Sequence, residues 1–317
     1  MIRVLIDCDP GQDDAVALLL ALASPELEVL GVTTVAGNQT VERTTANALR
    51  VLELAGRADV LVASGADRPL VHELVVAADA HGESGLDGPS LPPPTARPLE
   101  QHAIDFLAEQ LFAAERPLTL VALGPLTNVA LLLARHPRAP ARIERIVLMG
   151  GAIAGGNMTP SAEYNIWVDP EAAARVFESG LDLTMVGLDV TNQAVVTAEH
   201  AERLRGAGPI GDAVAAMLDF YGDFYRRTYE YEGAPVHDAV AVAHLVRPGL
   251  LTTVERNVAV DTGSGLGRGR TVVDMRRRRL GQDAPTAHVA VGIDVRGFLD
   301  LLLERLSAPV KAPESAR

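Results

Sequence analysis

Residues 2–14 read Ile-Arg-Val-Leu-Ile-Asp-Cys-Asp-Pro-Gly-Gln-Asp-Asp, an apolar run followed by four carboxylates. The apolar run over residues 3–6 predicts a buried strand, and residues 14–23 predict the helix that follows it. Ligands of open α/β sheets bind at the carboxyl ends of the strands, where these acids would lie. Their mutual repulsion must be offset by a cation or by hydrogen-bond donors. Because oxygen ligands favour Ca²⁺ or Mg²⁺ over zinc, the loop predicts a hard-cation site.

Two alternatives compete for this acidic loop. Helix capping explains one or two of the aspartates, but not four with Pro10-Gly11 turning between them. A strand that ends in Asp-x-Asp also fits a haloacid-dehalogenase-like phosphohydrolase, with Asp7 as nucleophile and Asp9 as acid/base. That chemistry usually requires a lysine to hold the phosphoryl group, and the single lysine is Lys311. The same scarcity excludes Schiff-base and P-loop mechanisms.

Apolar runs and helical patterns alternate along the rest of the chain. Strands are predicted at residues 28–35, 60–63, 118–123, 143–149 and 183–188, and helices at 41–55, 103–114, 126–134, 170–178, 210–231, 238–245 and 295–306, with β-rich sequence at 257–274. This alternation predicts an α/β fold with a mostly parallel central sheet covered by helices, and a site at the carboxyl ends of the strands. We expect a single domain over residues 1–307 and a disordered tail over residues 308–317.

Composition limits the possible partners. The 317 residues carry a net charge of -13 and a pI near 5.1, which argues against a nucleic-acid polymer as ligand. Cys8 is the only cysteine, so neither a disulfide framework nor a cysteine-based zinc site is expected. The sequence has no signal-peptide pattern and no apolar run long enough to cross a bilayer. We therefore expect a cytoplasmic protein with no membrane partner.

Further polar groups are expected beside the acidic loop. Asn157, Glu163 and Asn165 follow the predicted strand that ends at Met149, and they offer amides and a carboxylate suited to sugar hydroxyls. The glycines around them could equally form an ordinary turn. His237-Asp238 begins an apolar helix and combines a metal-seeking carboxylate with a proton donor that titrates near neutrality.

Tyrosines crowd the helix that precedes His237. Tyr221, Tyr225, Tyr229 and Tyr231 could stack on a nucleobase, although some of them could belong to the core.

Taken in order, these segments resemble the inosine–uridine-preferring nucleoside hydrolase family. The resemblance is carried by Asp7 to Asp14, Val35-Ala36-Gly37-Asn38, His81-Gly82-Glu83-Ser84-Gly85-Leu86, Gly124-Pro125-Leu126-Thr127-Asn128, Glu163-Tyr164-Asn165 and His237-Asp238. It spans about residues 2 to 300 and implies a Rossmann-like nucleoside hydrolase fold. It also implies Ca²⁺-dependent hydrolysis of the N-glycosidic bond of ribonucleosides through an oxocarbenium-like transition state, a role in purine or pyrimidine salvage, and a homodimer or homotetramer.

The resemblance also implies roles for individual residues. Asp9, Asp14, Asp238 and the backbone carbonyl of Leu123 would bind Ca²⁺, and Asp9 would take a proton from the attacking water. His237 would be the leaving-group acid, with His81 nearby on a mobile loop. Ribose and base would contact a wider set: Asp13, Asn38, His81, Met149, Asn157, Glu163, Asn165, Tyr225 and Tyr229.

Two questions stay open at this stage. The preference for purine or pyrimidine bases is not decided, and neither is the identity of the leaving-group acid. A nucleoside- or ribose-binding protein without catalysis is an alternative of another class, although no element of the catalytic set is missing.

Overall fold

The computed structural model describes residues 1–276 and 284–308. Residues 309–317 of the predicted disordered tail therefore lie outside the described residues. Within the described part of the chain, no helix is both long and apolar enough to span a membrane.

Strands and helices follow one another closely in the order expected from the sequence. The strands are β1 (Ile2–Cys8), β2 (Leu27–Thr34), β3 (Val62–Ser64), β4 (Leu118–Ala122), β5 (Ile143–Met149), β6 (Leu183–Val186), β7 (Val195–Thr197), β8 (Gly233–Pro235), β9 (Leu251–Arg256), β10 (Val258–Val260), β11 (Thr271–Val273) and β12 (Ala287–Ile293). The α-helices are α1 (Gln12–Ala23), α2 (Val41–Leu54), α3 (Ala78–His81), α4 (Ala103–Ala113), α5 (Thr127–Arg135), α6 (Tyr164–Val168), α7 (Pro170–Phe177), α8 (Leu188–Thr191), α9 (Ala198–Leu204), α10 (Pro209–Tyr229), α11 (His237–Val246) and α12 (Val295–Leu306).

Within the described residues, eight strands form the central sheet in the order β3-β2-β1-β4-β5-β6-β12-β9. Neighbours from β3 to β12 pair in parallel, and β9 pairs with β12 in the antiparallel sense. The predicted α/β fold with a mostly parallel sheet is confirmed. The first three strands follow one another from β1 to β3, which forms one edge of the sheet. The next strand, β4, lies on the other side of β1. The sheet therefore has its topological switch point between β1 and β4, where open α/β sheets bind ligands.

Helix α1 is buried along almost its whole length, because it is covered by other helices as well as by the sheet. Its residues from Ala15 to Leu22 are all apolar, so no polar face needs solvent. Helix α11 is nearly as buried and packs directly against α1. This packing brings the first turns of the two helices, and the acidic residues in them, to one place beside the switch point.

Candidate active site

The acidic loop joins β1 to α1 and is held by its own carboxylates. Asp14 accepts hydrogen bonds from the backbone N–H groups of Asp9 at 3.1 Å and Gly11 at 3.0 Å. The amide of Asn38 also donates to Asp14, at 3.1 Å. Asp14 therefore closes the first turn of α1, as a capping residue does. Capping explains the position of this one carboxylate and leaves the other three without such a role.

Three carboxylates converge where α1 and α11 begin. Ligand atoms of Asp13, Asp14 and Asp238 all lie within 4.8 Å of one another, and all three residues are buried. The two helix N-termini favour negative charge there, but only modestly. Asp9, which the sequence assigns to the metal set, is not in this group, whereas Asp13, assigned to ribose, is.

Asp9 sits between two backbone segments that lack side chains. Its Oδ2 atom accepts a hydrogen bond from the backbone N–H of Asn38 at 2.7 Å. A Cβ atom added to Gly37 would lie 2.0 Å from that Oδ2, and one added to Gly124 would lie 2.3 Å from Oδ1. Glycine at both positions is therefore a steric requirement. Oδ1 of Asp9 is buried and has no hydrogen-bond partner in the described residues.

The pKa values of these acids are raised by burial and by the charges of neighbouring carboxylates. Burial raises the pKa of Asp9, Asp13 and Asp238 well above the usual range, and the charge of Asp14 raises each of them further. Burial also raises the pKa of Asp14, which shares a side-chain hydrogen bond with Asp238. Two carboxylates can share a hydrogen bond only if one of them is protonated. Among the described residues, no ion pair includes Asp9, Asp13, Asp14 or Asp238.

Asp7, the first of the four loop acids in the sequence motif, has a different environment. It accepts hydrogen bonds from Thr33 Oγ1 at 2.6 Å and Asn128 Nδ2 at 2.7 Å, and burial raises its pKa to about 7. It does not line the cavity described below. The phosphohydrolase alternative, in which Asp7 is the nucleophile, is wrong because this carboxylate faces the interior of the fold.

A cavity of about 640 Å³ opens over the switch point, within the range of small-ligand sites. Every predicted site residue except Asp9 and Asp14 lines it: Asp13, Asn38, His81, Leu123, Met149, Asn157, Glu163, Asn165, Tyr225, Tyr229, His237 and Asp238. Asp9 and Asp14 lie just behind its floor, buried with 1% and 0% of their surface exposed.

The predicted ribose-binding side chains are fixed by the protein before any ligand arrives. Asn165 donates through Nδ2 to the carbonyls of Leu123 at 2.7 Å and Met149 at 3.2 Å. Its Oδ1 atom is thereby left as an acceptor. Leu123 keeps a second lone pair on its carbonyl oxygen for another partner.

Glu163 and Asn157 hold the glycine-rich loop between β5 and α6. The Glu163 carboxylate accepts from the backbone N–H groups of Gly151, Asn165 and Ile166, and burial raises its pKa to about 7. Asn157 accepts from the backbone N–H of Tyr164 at 2.9 Å. The loop predicted as a possible ordinary turn is thus an ordered wall of the cavity.

The side of the cavity that Tyr225, Tyr229 and His237 line is aromatic and neutral. His237 Nε2 lies 2.9 Å from the Tyr225 hydroxyl, and His237 Nδ1 lies 2.8 Å from the Thr191 hydroxyl. Burial lowers the pKa of His237 to about 4. The expectation that His237 titrates near neutrality is therefore wrong, because its buried ring is uncharged at pH 7. Tyr229 is 40% exposed and donates to the Asn157 carbonyl at 3.2 Å, across the mouth of the cavity.

His81 lines the cavity together with Tyr225 and His237. The residue ends the short helix α3 rather than lying in an irregular loop, and its ring is buried and stacked on Tyr221 at 5.1 Å between centroids. The sequence pattern did not reveal three residues that orient this region: Gln12, Tyr164 and Thr191. Gln12 and Thr191 contact partners 69 and 46 positions away, a distance over which sequence spacing carries no signal.

Comparison with known proteins agrees with this geometry. Residues 4–300 match the family model described as inosine-uridine preferring nucleoside hydrolase. The chain belongs to this family. The predicted family and enzyme class, a nucleoside hydrolase, are therefore confirmed.

Relatives in the nucleoside hydrolase family cover nearly the whole chain. The pyrimidine-specific ribonucleoside hydrolase RihA of Escherichia coli is 50% identical over 305 residues, which are 96% of this chain and 97% of the relative. RihA of Salmonella agona is 51% identical with the same coverage. The solved structure of a purine-preferring ribonucleoside hydrolase from Gardnerella vaginalis matches with a TM-score of 0.90 and 36% identity, over 96% of this chain and 98% of that one.

Proposed function

We propose that this nucleoside hydrolase cleaves the N-glycosidic bond of ribonucleosides with a Ca²⁺ ion bound at the cavity floor, and that pyrimidine ribonucleosides are its preferred substrates. The observation that carries the proposal is the arrangement of one acidic floor and one neutral aromatic wall in a single cavity of nucleoside size. The two parts suit a polar sugar and a flat base, respectively.

The donor set fits a hard divalent cation. It consists of carboxylate and carbonyl oxygens, and buried oxygens of Asp9 and Asp13 lack partners among the described residues. We assign Asp9, Asp14, Asp238 and the Leu123 carbonyl as ligands, with Asp13 close enough to join them. When bound, Ca²⁺ supplies Lewis acidity and a template for hydroxyl oxygens.

Asp9 is the proposed general base. One of its carboxylate oxygens is held by the Asn38 backbone, and the other is free to accept a proton from water. Asp13, Glu163 and Asn165 surround the ribose position, and their oxygens would stabilise the positive charge that develops on the sugar ring.

The Tyr225–His237 pair is the proposed source of the proton or hydrogen bond for the departing base. Both side chains line the cavity and are 2.9 Å apart. A neutral imidazole can donate one N–H and accept at its other nitrogen, so His237 can donate to the Tyr225 oxygen while the Tyr225 O–H donates a hydrogen bond to the departing base.

The pyrimidine preference rests on the relatives. The named pyrimidine-specific enzymes are 50–51% identical to this chain, whereas the purine-preferring structural neighbour is 36% identical. Initial rates of ribose release from uridine, cytidine, inosine and adenosine test it. Faster hydrolysis of inosine than of uridine would contradict the preference, and binding without any release would support the non-catalytic alternative.

Calcium affinity should rise steeply with pH. The raised pKa values mean that the metal-free floor binds protons more tightly than ordinary carboxylates do, and Ca²⁺ must displace the protons that it holds. The association constant should increase about tenfold per pH unit for each proton displaced. Calorimetric titration at pH 6 and pH 8 measures this, and chelation should abolish turnover until Ca²⁺, more effectively than Zn²⁺, restores it. A pH-independent affinity, or full activity without metal, would contradict the assignment.

Replacing His237 by alanine should affect only substrates that need a proton on the leaving group. Natural nucleosides should lose roughly 10²–10⁴-fold in kcat, the usual effect of a general acid. A p-nitrophenyl riboside should react near the wild-type rate, since p-nitrophenolate leaves unaided. Tyr225→Phe should show the same pattern as His237→Ala. Equal losses on both substrates would mean that His237 instead supports Asp238.

A further inference from the structure

Gln12 links the first turn of α1 to the segment that carries His81. Its Nε2 atom donates to the backbone carbonyls of His81 at 3.1 Å and Asp87 at 2.9 Å. Its Oε1 atom lies 2.6 Å from His81 Nδ1. Both amide hydrogens are engaged by carbonyl oxygens, which fixes the orientation of the amide group. The atom that faces the imidazole is therefore an oxygen, which can only accept.

This contact determines where the imidazole of His81 carries its proton. Burial, together with nearby His237, lowers the pKa of His81 to about 3, so the ring is neutral at pH 7. A neutral imidazole has one N–H, and the acceptor Oε1 requires it at Nδ1. Nε2 then carries a lone pair, and none of the described residues forms a hydrogen bond with it.

The ring is packed closely on one edge and on one face. A Cβ atom on Gly11 would lie 2.4 Å from Nδ1 of His81, so this edge of the ring rests directly on the backbone. The face of the ring stacks on Tyr221. His81 lines the cavity, and Nε2 is the ring nitrogen that remains for a ligand.

We propose that Gln12 is a positioning residue that holds His81 in its Nδ1–H tautomer, so that Nε2 accepts a hydrogen bond from an N–H group of the nucleobase. The proposal rests on the function proposed above. Uracil offers such a donor at N3, and cytosine offers one at its exocyclic amine. In this tautomer His81 recognises the base and cannot protonate it, which leaves that task to Tyr225 and His237.

The tautomer can be measured without any substrate. The ¹⁵N chemical shifts of the histidine rings distinguish protonated from unprotonated nitrogens, and the His81 signals are those lost in His81→Phe. Gln12→Met removes the acceptor at Nδ1. Gln39→Met is the matched control, because buried Gln39 donates to the neighbouring Gly82 carbonyl at 3.1 Å without touching the ring.

Wild type and Gln39→Met should show protonated Nδ1 and unprotonated Nε2 at His81, and Gln12→Met should show protonated Nε2 in a substantial fraction of molecules. An Nε2–H tautomer in the wild type, or a Gln12→Met spectrum identical to wild type, would overturn the proposal. Thermal unfolding of both variants verifies that each is folded.

Kinetics provide the second readout. In N3-methyluridine a methyl group replaces the N3–H donor of uridine, and both ring carbonyls stay in place. The ratio of kcat/KM for uridine to that for N3-methyluridine should fall about tenfold in Gln12→Met, the effect of one hydrogen bond. It should stay constant in Gln39→Met. Equal losses on both substrates would mean that Gln12 only braces the segment. If wild type hydrolyses neither nucleoside, the proposed function fails, while the tautomer measurement still decides the role of Gln12.

Discussion

Asp9→Asn should lower kcat roughly 10⁴-fold, at the upper end of what a general base contributes. The amide is the same size as the carboxylate, so it fits between Gly37 and Gly124 and still accepts from the Asn38 backbone. The amide nitrogen of the variant cannot accept a proton from water. Nucleoside affinity, measured by equilibrium binding, should change little, because Asp9 lies behind the floor of the cavity and does not line it.

Asp7→Asn is the matched control for this substitution. Each of the two aspartates has one buried oxygen without a partner, so either substitution buries an unpaired amide group at the end of β1. The Asp7 carboxylate is held by Thr33 and Asn128 and belongs to neither the metal set nor the ribose set, so its variant should keep kcat near the wild-type value if it folds. An Asp9→Asn enzyme with more than a tenth of the wild-type kcat would reassign the base, with Asp13 as the next candidate.

Ribonucleosides should be preferred over 2′-deoxyribonucleosides on the order of 10⁴-fold in kcat/KM. Oδ1 of Asp13 is buried without a partner, and Oδ1 of Asn165 is left as an acceptor by the bonds that its amide nitrogen makes. A 2′-hydroxyl can donate to one of these acceptors, and a substrate that lacks it leaves that acceptor unpaired in a buried site, which is the source of strong discrimination.

Uridine and 2′-deoxyuridine are the pair to compare, in wild type and in Asp13→Ala. The variant should lose activity mainly on uridine, so that the ratio of the two kcat/KM values falls toward one. Comparable kcat/KM values for the two substrates in wild type would show that the assigned ribose site is wrong.

Much of the fold could be predicted because local sequence patterns specify it. The bounds of β5 and α12 agree with the prediction, and those of the other predicted elements differ by one or two residues. The strands β9 and β12 were not predicted. They complete one edge of the sheet after a long helical stretch, and their pairing depends on β6, which is about a hundred residues earlier.

The chemistry of the site was less predictable than the fold. Sequence motifs indicated which residues would meet, because loops at the carboxyl ends of parallel strands share one edge. They could not indicate that His237 is buried between Tyr225 and Thr191, which is what makes its ring neutral. Nor could they reveal the Gln12–His81 contact. Protonation states depend on burial and on partners that are distant in sequence, and neither is encoded in local spacing.

The cavity floor joins the first helix to a helix that comes late in the chain. Asp13 and Asp14 belong to the first helix, whereas Asp238 belongs to the eleventh, and they meet because α1 packs against α11. The order of synthesis therefore matters: a nascent chain carries the first two acids long before the third is made. No N-terminal fragment that stops short of α11 can assemble the cluster, however well its strands pair. The proposed cation site can thus form only in a chain that includes α11.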